Sequence, residues 1–478
     1  MKKNFMFVCI VAVLSSCSQS FIDLIPTSTV TIDVIYKNDK DFSDALIGVY
    51  SPIRSAYNDF WIFSDLRADD SWIEYPKADN WSYGDLFTLH SGHGLVNDAW
   101  TRYYQAIFRA NVILTKLEGF DESTIPNKRR YAAEARFLRA LCYFDLVRIF
   151  GDVPAVTADI SIQEAYQTPR TPVATIYNDI IIPDLLNAEG GLLAKYTGND
   201  IGKPSIGAAK AILGRVYLTI KDFQKAENKL LEVTMMDYKL EEEYSTLWDY
   251  SNKRHSEYIF NIEYASGVNG GSSFNNSFMP NFPEMMAFFG IAGTGGERYN
   301  PSRKFIPLWD EHDKRKEISI GIPGGYYNAA NEFRPLPVFT CQSYTKKYIA
   351  QSSSAGDSPA DWKVIRYADV ILMIAEAMNE NGKTAQAIPY LNMIRTRAGV
   401  NEYPITMNKA ETFEAIELER RFELCFEGHR WFDLVRWGKA YEVMQMEGMM
   451  PHMIVYPLPL SQIQLIDDSA ILPQNPGY

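Results

Sequence analysis

Between Asp65 and Tyr83 the chain reads Asp65-Leu66-Arg67-Ala68-Asp69-Asp70-Ser71-Trp72-Ile73-Glu74-Tyr75, then Pro76 to Asn80, then Trp81-Ser82-Tyr83. Trp72, Tyr75, Trp81 and Tyr83 place four large aromatics within twelve residues of a polar loop, and neither a helical nor a strand period puts all of them in a core. Flat rings beside planar polar groups such as Arg67 and Asp69 suit a ligand with an apolar face and a rim of hydroxyls, which is the chemistry of a sugar ring. A second group stands in the central segment, where Phe288, Phe289, Tyr299 and Trp309 lie near Arg298 and Asn300. For this second group the alternative reading is a hydrophobic mini-core that folds the loops.

Catalytic signatures fail on specifics, so no catalytic residue, cofactor or metal is expected. Gly382-Lys383-Thr384 resembles the end of a phosphate loop, but Ala377 stands where the first glycine belongs and a helical pattern precedes it. Gly293, Gly295 and Gly296 do not complete a dinucleotide fingerprint, because Arg298 replaces the third glycine. His90 and His93 have a conceivable metal spacing without a nearby cysteine or acidic partner. A carboxylate pair for glycoside hydrolysis stays open, since its test is a separation in space.

These loops need a compartment and a scaffold. Lys2 and Lys3 precede an apolar run from Phe5 to Leu14, which reads as a secretory signal. The run is too short to span a bilayer, which takes roughly 20 apolar residues. Leu14-Ser15-Ser16-Cys17 resembles the lipobox of bacterial lipoproteins, so residues 1–16 are expected to be removed and Cys17 to carry lipid. Several acyl chains on one residue hold a protein far more firmly than one. A formal net charge of -12 argues against nucleic acid or an anionic lipid surface as the ligand. Cys142, Cys341 and Cys425 show no metal-type spacing and no disulfide framework, and Cys142 and Cys425 read as small buried hydrophobes.

Helical periodicity predicts helices over 39–54, 96–117, 127–150, 175–188, 207–235, 367–379, 384–398 and 409–426. The stretch 258–358 is rich in Gly, Asn, Ser, Pro and aromatics and reads as loops with short strands. Leu213, Gly214, Tyr217, Ala226, Leu230 and Val233 fit the tetratricopeptide helix-turn-helix spacing, and Ile374, Ala375, Met378, Ala387, Leu391 and Ile394 fit the same register. The expected architecture is mainly α: one domain over 17–478, with tetratricopeptide-like helical pairs at about 36–240 and 363–440. Irregular ligand-binding insertions fall at about 60–95 and 258–360.

Two charged motifs read as architecture. Phe-Asp-Leu-Val-Arg occurs at 144–148 and again at 432–436, a cassette whose repetition favours packing over acid–base work. Glu417, Glu419, Arg420, Arg421, Glu423 and Glu427 crowd one helix, where three- and four-residue spacings predict a salt-bridged helix locking the C-terminal part onto the repeats.

Several segments together resemble the SusD/RagB family of outer-membrane lipoproteins of Bacteroidetes. They are Arg136 to Arg148 with Gly151-Asp152-Val153-Pro154, Arg366 to Val370 with Ala375-Glu376-Ala377, and Asn392 to Gly399. Glu419 to Arg436 and the ending Gln474-Asn475-Pro476-Gly477-Tyr478 complete the set. The resemblance implies a helical scaffold with four tetratricopeptide-type hairpins and an irregular ligand-binding part. It further implies a lid on a SusC-like TonB-dependent transporter that captures oligosaccharide at the cell surface, without catalysis, with ligand-stacking aromatics in the early loop and the central segment. The residues after Cys17, Ser18 to Asp23, lack a strong acidic run of the kind associated with surface export, so outward orientation rests on the resemblance. Competing readings are a RagB-type lid for peptides and a hydrolase on a repeat scaffold.

Overall fold

The computed structural model describes residues 36–73, 81–267, 270–338 and 340–478. The expected leader, Cys17 and Tyr75 lie outside the described residues. Helix α1 (Asp39–Tyr57) starts where Asn38 accepts from the backbone N–H of Lys40 and Asp41, and Asp41 returns the bond to the Asn38 N–H. Phe42, Leu46, Val49 and Ile53 then line its buried face. It packs on α2 (Gly94–Glu118), which packs on α3 (Lys128–Phe150). The predicted 175–188 helix runs from Val173 to Gly191, but with a π-helical stretch at Tyr177–Ile181 before α4 (Ile182–Gly191). Pro183 has no N–H to give and its ring presses on the carbonyl four residues back, which disrupts the ordinary ladder there.

The 207–235 prediction resolves into a hairpin of α5 (Ile206–Thr219) and α6 (Phe223–Thr234). Lys221 turns the chain at φ +63°, and Asp222 caps α6 by accepting from the Lys225 N–H. Gly214 explains why the two helices lie so close: a Cβ there would sit 2.5 Å from Cγ and Cδ2 of Leu230. The second registered pair forms the hairpin of α7 (Tyr367–Glu380) and α8 (Thr384–Ala398), and α7 packs on α6. Helix α9 (Lys409–Leu424) lies against α7 and α8, and α10 (Arg430–Trp437) follows it. About 53% of the described residues are helical, with few strands, a mainly α architecture. Among the described residues no helix is long and apolar enough to cross a membrane.

Two small antiparallel pairings organise the irregular part. Strand β1 (Ser71–Trp72) pairs with β3 (Asn300–Pro301), Trp72 facing Asn300. Strand β2 (Tyr258–Ile262) pairs with β4 (Trp362–Arg366), so the central excursion leaves and re-enters the scaffold at one place. Its ends are tied, and its interior is free to vary.

The charged motifs are more deeply buried than spacing alone suggests. In the helix-α9 motif the main partners come from other elements: Arg315, Arg366 and Arg397 converge on Glu423, Arg420 bridges Asp369 and Asp433, and Glu427 pairs with Arg366 and Lys347. Burial on several sides is the reason, because a buried charge takes its partner from whatever element packs on it. The two Phe-Asp-Leu-Val-Arg cassettes touch: the Arg148 guanidinium lies 3.9 Å from the Phe144 ring centre and 4.2 Å from that of Phe432. Asp145 is fully buried and accepts from the hydroxyls of Tyr57 at 2.8 Å and Tyr103 at 3.2 Å. Cys142, Cys341 and Cys425 are buried and form no disulfide among the described residues.

Candidate functional site

The early loop leaves α1 through a buried turn, and its geometry is set by carboxylates. Asp65, buried, accepts from the N–H of Gly428 at 2.7 Å, the N–H of Arg430 at 2.8 Å and the hydroxyl of Tyr299 at 2.9 Å. Burial pushes this carboxyl up to about 7 against the pull of those donors. One group thus joins the early loop, the central segment and the C-terminal motif. Two residues before β1, Asp69 accepts from Arg430 Nε at 2.8 Å and from Arg421 Nη2 at 3.0 Å, while Asp70 accepts from Arg421 Nε at 2.9 Å. Asp70 is shifted upward by its burial, whereas the guanidiniums of Arg430 and Arg421 outweigh burial at Asp69 and hold it below the usual carboxylate range. Ser302 completes the anchor: its N–H donates to the Asp70 carbonyl at 2.9 Å and its hydroxyl to the Asp69 carbonyl at 2.6 Å.

Trp72 emerges from this anchor half-buried, with the Arg303 guanidinium 5.0 Å from its ring centre and an indole N–H that has no acceptor among the described residues. Trp81 and Tyr83 stand at the one-turn helix Ser82–Asp85. Gly84 lets that turn lie against Ile62, whose Cγ2 would be 3.0 Å from a Cβ. Asp85 closes the loop by accepting from the Ile73 N–H at 3.0 Å, and burial pushes its carboxyl up to about 7. The half-buried Trp81 carries the Arg298 guanidinium 4.0 Å from its ring centre. Tyr83 is 38% exposed, with the His93 ring centre 5.0 Å away and that of His90 6.1 Å away. The two insertions thus supply two arginine–tryptophan pairs, Arg303 with Trp72 and Arg298 with Trp81, and near Trp81 in sequence stands the exposed Tyr83; each pair brings an aromatic surface and planar donors together.

Other sequence candidates are placed elsewhere. Arg67 is buried under Phe87, Trp431 and Tyr456, with ring centres 4.5, 5.1 and 4.0 Å away, and donates to the Met453 carbonyl at 2.7 Å. Tyr299 is buried with its hydroxyl spent on Asp65, and Trp309 is buried against Phe422 at 4.7 Å between ring centres. Asp69 is consumed by two arginines. For Arg67, Tyr299 and Trp309 we correct the expectation: aromatics and planar polar groups in a loop are also what folds the loop, and burial removes them from a ligand. Phe289, partly buried, packs against a satellite core that includes Met285, Met286 and Tyr326. Asn300 is buried and donates to the Glu297 carbonyl.

Sequence reasoning missed Arg303, although it follows Asn300 by three residues in the segment already singled out. The link of Arg421 and Arg430 to β1 spans about 350 residues of chain and has no local signature. Among the described residues no group of three or more His, Cys, Asp or Glu is arranged to hold a metal ion.

Comparison with known proteins brings two family models to the chain. Residues 232–478 match the model described as the SusD family, and residues 21–218 match one described as "Starch-binding associating with outer membrane". A "SusD-like protein P2" from Formosa agariphila is 28% identical over 524 aligned residues, covering 100% of both chains. A solved structure titled "Laminarin binding SusD-like protein" is 29% identical with a TM-score of 0.79, covering 93% of this chain and 100% of its own. "Surface glycan-binding protein A from Bacteroides thetaiotaomicron in complex with laminarihexaose" is 20% identical with a TM-score of 0.78, covering 92% of this chain and 99% of its own, a likeness of fold alone.

Proposed function

This chain belongs to the SusD family, and from that premise we propose that it is a non-catalytic oligosaccharide-binding lipoprotein of the outer membrane. In this reading lipid on Cys17 anchors it, the body faces the cell exterior, and captured glycan passes to a SusC-like TonB-dependent transporter. Residues 17–478 act as one unit, with the repeats as scaffold and the two insertions as the binding side. The observation that carries the reading is the meeting of Trp81 and Arg298, from insertions more than two hundred residues apart, at 4.0 Å. A guanidinium stacked on one face of an indole brings planar donors next to an aromatic surface, a pairing that suits a sugar's hydroxyl rim and its C–H face. Support for glycan over peptide comes from the 29% identical relative, whose title names laminarin. Trp72, Trp81, Tyr83, Arg298 and Arg303 are the contacting residues.

The test is isothermal titration of the purified chain against a panel of polysaccharides, oligosaccharides and peptides, laminarihexaose first. Trp81→Ala should lower glycan affinity at least about tenfold while leaving the unfolding temperature within a degree or two, since one stacked ring is worth on the order of 1.4 kcal/mol. Unchanged affinity in that variant would remove Trp81 from the site. New reducing ends on incubation with a glycan would instead make the protein a hydrolase.

A further inference from the structure

Trp72 stands on a strand of two residues, and a strand that short has no rigidity of its own. Its position is decided by what grips the residues beside it. On the N-terminal side the grip is electrostatic and two-sided. Arg421 of α9 places Nε 2.9 Å and Nη2 2.5 Å from Asp70 Oδ1, with Nη2 also 3.0 Å from Asp69 Oδ2. Arg430 of α10 meets Asp69 in the side-on fork, Nε to Oδ1 at 2.8 Å and Nη2 to Oδ2 at 3.0 Å. Glu417, one turn before Arg421 on α9, accepts from Arg430 Nη1 at 3.0 Å and so fixes the second guanidinium to the same helix. Both carboxylates sit within three residues of Trp72, and both arginines sit on the packed C-terminal helices.

We propose that Arg421, seconded by Arg430, is a positioning residue for ligand binding: it holds the Asp69–Asp70 pair so that Trp72 keeps its place on β1 opposite Asn300 and beside Arg303. This rests on the glycan reading above, and it gives the charge cluster of α9 a task beyond holding helices together. The fork matters because a guanidinium can satisfy two carboxylates at fixed angles, whereas an ammonium supplies charge without the angle. A ring displaced by about an ångström loses contact with a sugar face, since dispersion falls steeply over such gaps.

The decisive measurement is a double-mutant cycle on oligosaccharide affinity, read by isothermal titration of the full mature chain with the best ligand of the panel. Arg421→Gln should weaken binding about tenfold in the wild-type background and less than about twofold in a Trp72→Ala background, because the arginine acts through that ring. Arg421→Lys should fall between wild type and the Gln variant. Asp70→Asn, which opens the same clamp from the other side, should reproduce the loss and its dependence on Trp72, and it serves if Arg421→Gln does not fold. Equal losses in the two backgrounds, or unchanged affinity in both Arg421→Gln and Asp70→Asn, would overturn the clamp while leaving the glycan site standing. A wild-type chain that binds no member of the panel overturns the glycan reading and the clamp with it.

Discussion

Glu423 offers the sharpest test of how the scaffold is held together. Its side chain is fully buried; Oε1 accepts from Arg366 Nη1 at 2.5 Å and from Arg397, and Oε2 accepts from Arg315 Nη1 at 3.1 Å. Five basic groups in this cluster (Arg315, Lys347, Arg366, Arg395, Arg397) face five acidic ones (Glu257, Asp313, Glu419, Glu423, Glu427). Glu423→Gln keeps the shape, leaves one buried positive charge in excess and turns an amide donor toward a guanidinium donor. Breaking a buried ion pair from one side costs about 3–5 kcal/mol. Unfolding entropy near ~2.1 cal/mol/K per residue, over roughly 430 described residues, gives about 0.9 kcal/mol/K, so the melting temperature should fall by about 3–5 °C at pH 7. Burial alone would raise the Glu423 carboxyl, but Arg397, Arg366 and Arg315 hold it well below the ordinary 4.5. A depressed carboxyl contributes stability that is present above the unfolded value and is lost as pH falls through the folded one. The gap between wild type and variant should therefore be constant from pH 6 to 8 in calorimetric scans and narrow below about 4.5. A drop under about 1 °C at pH 7, or a gap that does not narrow on acidification, would refute the claim that three guanidiniums depend on this carboxylate.

Gly214→Ala should cost about 1–3 kcal/mol, read from the urea midpoint, because its Cβ would sit 2.5 Å from Leu230 carbons. Adding Leu230→Ala should cost less in that background than alone, and strict additivity would argue against the close approach of α5 and α6. Asp85 has its proton held to about pH 7 by burial, while an unfolded aspartate releases it near 3.8, so the folded chain binds more protons in between and wild-type stability from this group falls as pH rises across that window. Asp85→Asn should thus gain in melting temperature relative to wild type from pH 4 to 7 and hold steady above; a difference independent of pH would contradict the burial of this carboxyl.

The scaffold was largely legible because helices announce themselves locally. The 384–398 prediction coincides with α8, and Gly214 and Ala226, which fit the tetratricopeptide spacing, stand on the two helices of the close-packed hairpin α5–α6. The 207–235 run breaks at Lys221-Asp222, where the tetratricopeptide register has its turn, whereas Pro183 disrupts a helix that periodicity alone continues. For the site, composition singled out the two insertions and, within them, Trp72, Trp81, Tyr83 and Arg298, candidates that the structure leaves at least partly exposed or beside the partly exposed rings. It could not separate these from Arg67, Tyr299 and Trp309, since the same residue types build a loop's core and its binding face.

The sequence by itself determined the helical periods, the two registered hairpins, the irregular insertions and the family, all of which are written in residue types a few positions apart. Only the tertiary structure decided which aromatics stay uncovered and which partners hold them. Asp65 meets Gly428 and Asp70 meets Arg421 across more than 350 residues. The physical reason is range: helix and turn preferences act over one or two turns, whereas burial and the pairing of buried charges are settled by whichever distant segments the packed fold brings to within about 3 Å.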